Sequence, residues 1–343
     1  MSGVSRRQFL RWGLPAGLGL AGAAASASAP GKETAPSLPP GMVHPNPTHY
    51  MGGRPVPTER QAPDALDPMQ ILTAFDFGKV TRLPNGQIQR EYTLIAFDRE
   101  IEVAKGVKFP AWTLNGSVPG PTIRCTEGDR LIIHFRNEAA HPHTIHLHGI
   151  HPANADGVFE VVPPGGTYDY DLMAEPFGLF LYHCHVMPLK KHIHKGLYGA
   201  FIVDPKTPRP PAKELLMVMN GFDTDLDGEN EFYTVNGIAN YFAEHPISLQ
   251  VGEPVRIYLV NTTEFDLINS FHLHGNMFKL FRTGTSLTNF EITDTVMLCQ
   301  GERCILEFSY KYPGKFMFHA HQSEFAELGW MGMFDVQARP QKA

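Results

Sequence analysis

The chain has 343 residues, 43% hydrophobic and 19% charged, with a formal net charge of -6. At about 100 to 200 residues per domain, that length predicts two domains. The acidic balance argues against a nucleic-acid partner, which needs clustered Lys and Arg facing phosphate.

Residues 1–29 read as an export signal. Ser5-Arg6-Arg7-Gln8-Phe9-Leu10 opens it, a Gly/Ala/Leu run follows, and Ala25 to Ala29 offers small-residue cleavage sites after Ala27 or Ala29. The twin-arginine pattern predicts export of the folded protein to the periplasm or the cell exterior. Gly and Pro interrupt the apolar run, so no membrane span is expected in the mature protein. Residues 30–86 follow as an extended arm, rich in Pro up to about Pro68.

From about Tyr92, short alternating apolar segments separated by turns such as Asn115-Gly116 predict an all-β fold of Greek-key β-sandwich domains. The first, residues 87–205, passes through Thr113-Leu114-Asn115-Gly116, Glu127-Gly128-Asp129, His146-Leu147-His148-Gly149 and the segment around Cys184. Residues 206–213 form a Pro-rich linker that cannot join a central sheet. The second domain, 214–338, repeats the landmarks in the same order: Thr234-Val235-Asn236-Gly237, Val251-Gly252-Glu253, His272-Leu273-His274-Gly275 and His319-Ala320-His321. The chain is an internal duplication of one sandwich.

Four His-x-His pairs stand at matching places: His146/His148, His183/His185, His272/His274 and His319/His321. Side chains two apart on a strand share a face, so each pair presents two imidazoles together. Cys184, between His183 and His185, faces the other way. His143 falls on that same opposite face of its own strand, and His192, four residues before Gly196, is the third candidate beside it. Two imidazoles and one thiolate with a weak or absent axial ligand describe a blue-copper electron-transfer site. Leu197 at the axial place gives no bond, which raises the reduction potential relative to a thioether there; Met187 is the rival axial candidate. In the second copy the matching residues are Asn269, Ala320, Phe325 and Trp330. That copy has lost the thiolate site and kept all four imidazoles. Eight histidines in four pairs point to a multi-metal cluster at a domain interface. Closed structural zinc sites use more cysteine, so copper is the better match.

With these motifs the chain resembles the two-domain multicopper oxidases whose type 1 copper lies in the first, cupredoxin-like domain. The resemblance covers about residues 87 to 338. It implies that His143, Cys184 and His192 hold the type 1 copper and that His146 and His272 hold the type 2 copper. It further implies that His148, His183 and His321 hold one copper of the type 3 pair and His185, His274 and His319 the other. Four coppers per chain are then expected, one of type 1, one of type 2 and two of type 3, with clusters shared between subunits of a homotrimer. Dioxygen would be reduced to water with electrons from a small phenolic, aromatic-amine or metal-ion donor, entering through the edge of His192. Asp156 is the candidate proton donor near the cluster, ahead of Glu324 and Glu327. Copper nitrite reductases share this plan but carry an aspartate where this chain has His146. A copper-binding electron carrier without turnover is the remaining alternative, and it leaves eight imidazoles unexplained.

The other residues have plainer expectations. His141 and His151 read as neighbours of ligands or surface residues, and His194 as a contributor near the donor's approach. Cys125 packs in the core, and Cys299 and Cys304 flank a hairpin tip where a disulfide is possible in an oxidising compartment.

Overall fold

The computed structural model describes residues 62–339, so the expected export signal and most of the expected arm lie outside the described residues. In the first half the strands are β1 (Phe75–Asp76), β2 (Lys79–Arg82), β3 (Ile88–Ala104), β4 (Val107–Leu114), β5 (Thr122–Thr126), β6 (Arg130–Asn137), β7 (His146–Leu147), β8 (Thr167–Met173), β9 (Gly178–His183) and β10 (Tyr198–Asp204). In the second they are β11 (Lys213–Phe222), β12 (Phe232–Val235), β13 (Ile247–Gln250), β14 (Val255–Asn261), β15 (Ile268–Leu273), β16 (Phe278–Arg282), β17 (Glu291–Thr293), β18 (Thr295–Cys299), β19 (Arg303–Phe308), β20 (Gly314–His319) and β21 (Met331–Gln337). The helices are short: α1 (Pro68–Ile71), α2 (Leu189–His194), α3 (Tyr241–Glu244) and α4 (Ser323–Glu327). None among the described residues is long and apolar enough to cross a membrane.

Each half is a sandwich of two sheets. The first stacks β1-β5-β10-β9-β7 on β2-β3-β6-β8, with β4 paired to β3; the second stacks β12-β11-β14-β19-β16-β17 on β13-β21-β20-β15-β18. This is the predicted all-β, cupredoxin-like plan, and the duplication extends to cross-strand register. His146 lies opposite His183 in the β7–β9 pair, and His272 lies opposite His319 in the β15–β20 pair. The Asn-Gly landmark is a left-handed turn in both copies, with positive φ at Asn115 and Gly116 and again at Asn236 and Gly237.

Three apolar clusters hold the molecule together, one inside each sandwich and one between them. Strand β11 explains the third, because its alternate residues serve different cores. Leu215, Met217 and Met219 fill the second sandwich, while Leu216, Val218 and Phe222 join Tyr198, Ala200 and Ile202 of β10 at the junction. A polar network borders that junction. Arg124 donates to Asp204 at 2.8 Å and to Glu214 at 2.6 Å, Arg256 donates to Glu214 at 3.0 Å and to Glu307 at 2.7 Å, and the Tyr258 hydroxyl donates to Glu214 at 2.7 Å.

One expectation changes and one open alternative is resolved. The arm was to run to residue 86, but its last part is built into the domains: Leu72 belongs to the second core, its carbonyl accepts from Leu216 N at 2.8 Å, and Phe75 pairs with Thr122 in the first. The apolar residues that return just after the Pro-rich stretch, Leu72 and Phe75 among them, were the available signal. The second concerns Cys299 and Cys304, which are both free. Cys299 is exposed at the end of β18 and Cys304 is buried in β19, and those strands lie in opposite sheets.

Burial opposes ionisation of Glu214, yet hydrogen bonds from Arg124 and Tyr258 outweigh it and hold the carboxyl below its usual range. Its contribution to stability is therefore full above the unfolded value near about pH 4.3 and lost as pH falls through the lower folded value. Glu214→Gln should lower stability at pH 7 by up to about 3 kcal/mol, measured by urea unfolding. The deficit should shrink as the pH is brought below about 4.3; a deficit that does not change with pH would remove the ion-pair explanation.

Candidate metal centres

In the first domain the end of β9 carries the alternation predicted for it. Cys184 turns into the core, and its Sγ lies 3.2 Å from His192 Nδ1 and 3.8 Å from His143 Nδ1, the two nitrogens being 3.2 Å apart. His143 and Cys184 are fully buried, and His192 is 4% exposed. Burial, and for His192 the neighbouring His141, push both imidazoles toward neutrality, His192 down to about 4. Burial also pushes the Cys184 thiol up to about 11. Three soft donors therefore converge in a dry pocket, and a bound cation is what would deprotonate the thiol there. The Nε2 of His143 has no hydrogen-bond partner, so the polar neighbours that orient its ring are His192 and Cys184. This donor set fits copper.

Of the two axial candidates, Leu197 is 1% exposed in the core with Cys184, whereas Met187 is 60% exposed. The second copy is filled as its sequence predicted: Ala320, Phe325 and Trp330 belong to the core, Phe325 stacks on Tyr233 at 3.8 Å, and Asn269 donates to Thr263.

The imidazole pairs form two separate sets. In the first, His148 Nε2 and His183 Nε2 approach to 3.2 Å, and the His146 ring lies 5.2 Å from those of His148, His183 and His185. In the second, His274 Nε2 and His319 Nε2 approach to 2.9 Å, with the His272 ring 5.2 Å from that of His321. Backbone carbonyls hold the far side of four rings. Nδ1 of His146 donates to Asp156 O and that of His272 to Asp294 O, while Nδ1 of His183 donates to Cys184 O and that of His319 to Ala320 O. Each bond fixes the tautomer with a bare Nε2 turned toward the shared space, the arrangement a metal requires. Burial, with His183 and His146 beside it, pushes His148 down to about 3, and burial pushes His183 to about 4. Among the described residues, no group of three close ligand atoms joins the two sets. His274 and His321 are exposed, so the second set opens outward.

Asp156 stands beside two of these rings, its Oδ1 3.3 Å from His146 Nδ1 and 3.6 Å from His151 Nε2. Asp294 has a structural place, binding His272 through its carbonyl and Thr295 through its carboxylate. Glu324 and Glu327 lie on α4.

The edge of His192, the expected entry for electrons, is not open to solvent. Trp112 covers it, with ring centroids 4.7 Å from His192 and 5.2 Å from His143, and His141 packs on the same indole. His194 is likewise buried, against the second domain. Sequence reasoning also missed Thr144 and Ser270. Thr144 Oγ1 accepts from His185 N and its N–H points at Cys184 Sγ, and Ser270 Oγ accepts from His321 N. Their matched positions, one residue after His143 and one after Asn269, were the available signal.

A further carboxylate group, Asp223, Asp225, Asp227 and Glu231, lies after β11. Asp223 there accepts from Asp227 N and Gly228 N, and so orders its own loop.

The comparisons with known proteins agree with this arrangement. Models of the multicopper oxidase family match residues 97–208 and 208–340. A crystal structure of a multicopper oxidase is 53% identical, covering 79% of this chain and 97% of that one, with a TM-score of 0.78. A copper nitrite reductase from Nitrosomonas europaea is 26% identical over 73% of this chain and 94% of that one, with a TM-score of 0.68. The copper-containing nitrite reductase of Neisseria gonorrhoeae is 29% identical, over 65% of this chain and 62% of its own length. With family models spanning both sandwiches, the chain belongs to the multicopper oxidase family.

Proposed function

We propose that the protein takes single electrons from a small donor and passes them to dioxygen, forming water, at a cluster completed by a neighbouring copy in a homotrimer. The observation that carries this reading is the pair of imidazole sets, His146, His148 and His183 with the His185 ring beside them, and His272, His274 and His319 with the His321 ring beside them, with no close ligand group joining the two among the described residues. In it His143, Cys184 and His192 form the type 1 site and His146 with His272 the type 2 site. His148, His183 and His321 form one type 3 site, and His185, His274 and His319 the other. Copper bound in these sets supplies one-electron redox chemistry, about four ions filling one chain's share.

The chain's own residues then divide the work. A groove of about 460 Å³ lies over Trp112, with Asp98, Glu100, His141 and Lys191 on its walls. That volume suits a small aromatic molecule, and a phenol or aromatic amine in the groove would stand beside the buried Trp112 ring that packs on His192. The carboxylates of Asp98 and Glu100 suit a metal-ion donor instead. Cys184 is joined through the chain to both His183 and His185, so the bonded path from donor side to oxygen side is short. Asp156 Oδ1 lies 3.3 Å from His146 Nδ1, behind the ring that turns its Nε2 to the shared space, and is the carboxyl placed to pass protons toward that space. Exposed apolar residues accompany both imidazole sets: Ile150 and Phe159 near the first, Leu267, Ile268 and Met297 near the second. A second copy seated there would cover them.

Nitrite reduction is the second reading, favoured by the names of the Neisseria and Nitrosomonas relatives. His146 weighs against it, because such reductases, by the resemblance drawn above, have an aspartate there. Export by the twin-arginine route rests on residues 1–29, outside the described residues. Amino-terminal sequencing of protein recovered outside the cytoplasm should find cleavage after Ala27 or Ala29; an uncleaved cytoplasmic product would sink that part.

The copper-loaded protein should consume oxygen with phenolic, aromatic-amine or metal-ion donors and bind about four coppers per chain. Nitric oxide production from nitrite with about two coppers per chain would replace the oxidase reading by the reductase one. Cys184→Ser should abolish the blue absorption and donor-driven oxygen uptake while the clustered copper stays bound; continued turnover would refute the electron path. Asp156→Asn should slow oxygen uptake by about 100-fold while the donor still bleaches the blue band at the normal rate. Equal slowing of both steps would make Asp156 a structural residue only.

A further inference from the structure

Of the three residues converging at Cys184, His192 alone sits outside the sheets and their edges. It rides on α2, a six-residue helix between β9 and β10, so whatever fixes that helix fixes the third ligand. On the first-domain side the grip comes from β4 and its end. Trp112 N donates to Lys195 O at 2.8 Å, Lys195 Nζ donates to Pro110 O at 2.6 Å, and the Trp112 ring packs on His192.

The second domain grips the opposite face. Residues two apart on a helix point about 200° apart, so His194 turns away from Cys184. It is 4% exposed, and its Nε2 accepts the Asp223 N–H at 2.9 Å. Its ring meets Phe109 and Phe265 edge-on, at 5.3 and 4.8 Å. The partners are themselves held in place. The Asp223 carboxylate accepts from Asp227 N at 3.1 Å and Gly228 N at 2.8 Å, and the Phe265 ring lies 4.1 Å from the Lys190 ammonium.

We propose that His194 is a positioning residue for the type 1 site: by accepting the Asp223 amide, it sets from the second domain where His192 stands relative to Cys184 and His143. Without that acceptor a buried N–H is left unpaired, and the short helix is what can move to relieve it. The inference rests on reading His143, Cys184 and His192 as a copper site and is independent of whether oxygen or nitrite is the acceptor.

The test compares copper-loaded wild type with His194→Leu, which removes the acceptor, and His194→Gln, whose amide oxygen restores one. H194L should shift the thiolate-to-copper absorption band and the reduction potential, and hold type 1 copper against a chelator about 10- to 100-fold less well. The clustered copper should be held as in wild type, and H194Q should recover the wild-type band. Overturning results are an unchanged band, potential and retention in H194L, or an H194Q as impaired as H194L. If H194L does not fold, Asp223→Pro decides, since proline has no backbone N–H to donate and His194 itself is left in place: a shifted band supports the proposal and an unchanged one overturns it. A wild-type protein that binds copper without any thiolate band would overturn this proposal together with the reading of the site.

Discussion

Neighbouring side chains on a β-strand leave by opposite faces, and at the end of β9 this makes one peptide segment serve two environments. Cys184 enters the dry interior of the first sandwich, where its Sγ meets His143 and His192, while His183 turns to the side of His146 and His148. The backbone between them belongs to both, because the Cys184 carbonyl fixes the His183 tautomer and the Cys184 amide donates to Leu197 O. Any shift of that strand end displaces the thiol and the ring together. This explains why Thr144 braces the same segment twice, through its hydroxyl and its amide.

The second copy separates what the fold needs from what the redox site needs. Ala320 donates its amide to Trp330 O as Cys184 does to Leu197 O, and its carbonyl accepts from His319 as Cys184's does from His183. The backbone frame is intact, while the pocket that holds three donors in the first copy holds Phe325 and Trp330 in the second. A thiolate site is thus an optional filling of this sandwich, whereas the carbonyl-tied imidazoles are present in both copies. On the proposed function this asymmetry is useful, because a single entry point for electrons sends each one along a single path.

Much of this was legible in the sequence because the signals are local and periodic. Alternation gave the strands, repeated landmarks gave the duplication, and the His-x-His spacing gave the two imidazole faces. What was not legible depends on which surfaces meet. Leu72 and Phe75 look like arm residues until β11 and β5 are there to receive them. Trp112 reads as an ordinary core aromatic, and only the folded chain lays it over His192. His194 follows a candidate ligand in sequence, yet on a helix that spacing turns it toward the other domain. Cys299 and Cys304 look like hairpin partners, but the chain changes sheets between them.

The domain junction bears on how the two imidazole sets can act together. An apolar cluster drawn from both sandwiches, bordered by the Arg124, Glu214 and Arg256 network, fixes one domain against the other. At the first set, the same chain's second domain offers not its histidines but the turn at Gly301, where a Cβ would lie 3.9 Å from His148 Cε1. Domains packed in this way cannot swing to close His272, His274, His319 and His321 onto His146, His148, His183 and His185. If eight rings serve one oxygen molecule, the second set must come from another copy, and the face that gives differs from the face that receives. Such unlike contacts form a closed assembly only when rotation from one copy to the next completes a ring. The rigid junction would then do more than hold two sandwiches together, since the angle it fixes between them decides how many copies close that ring.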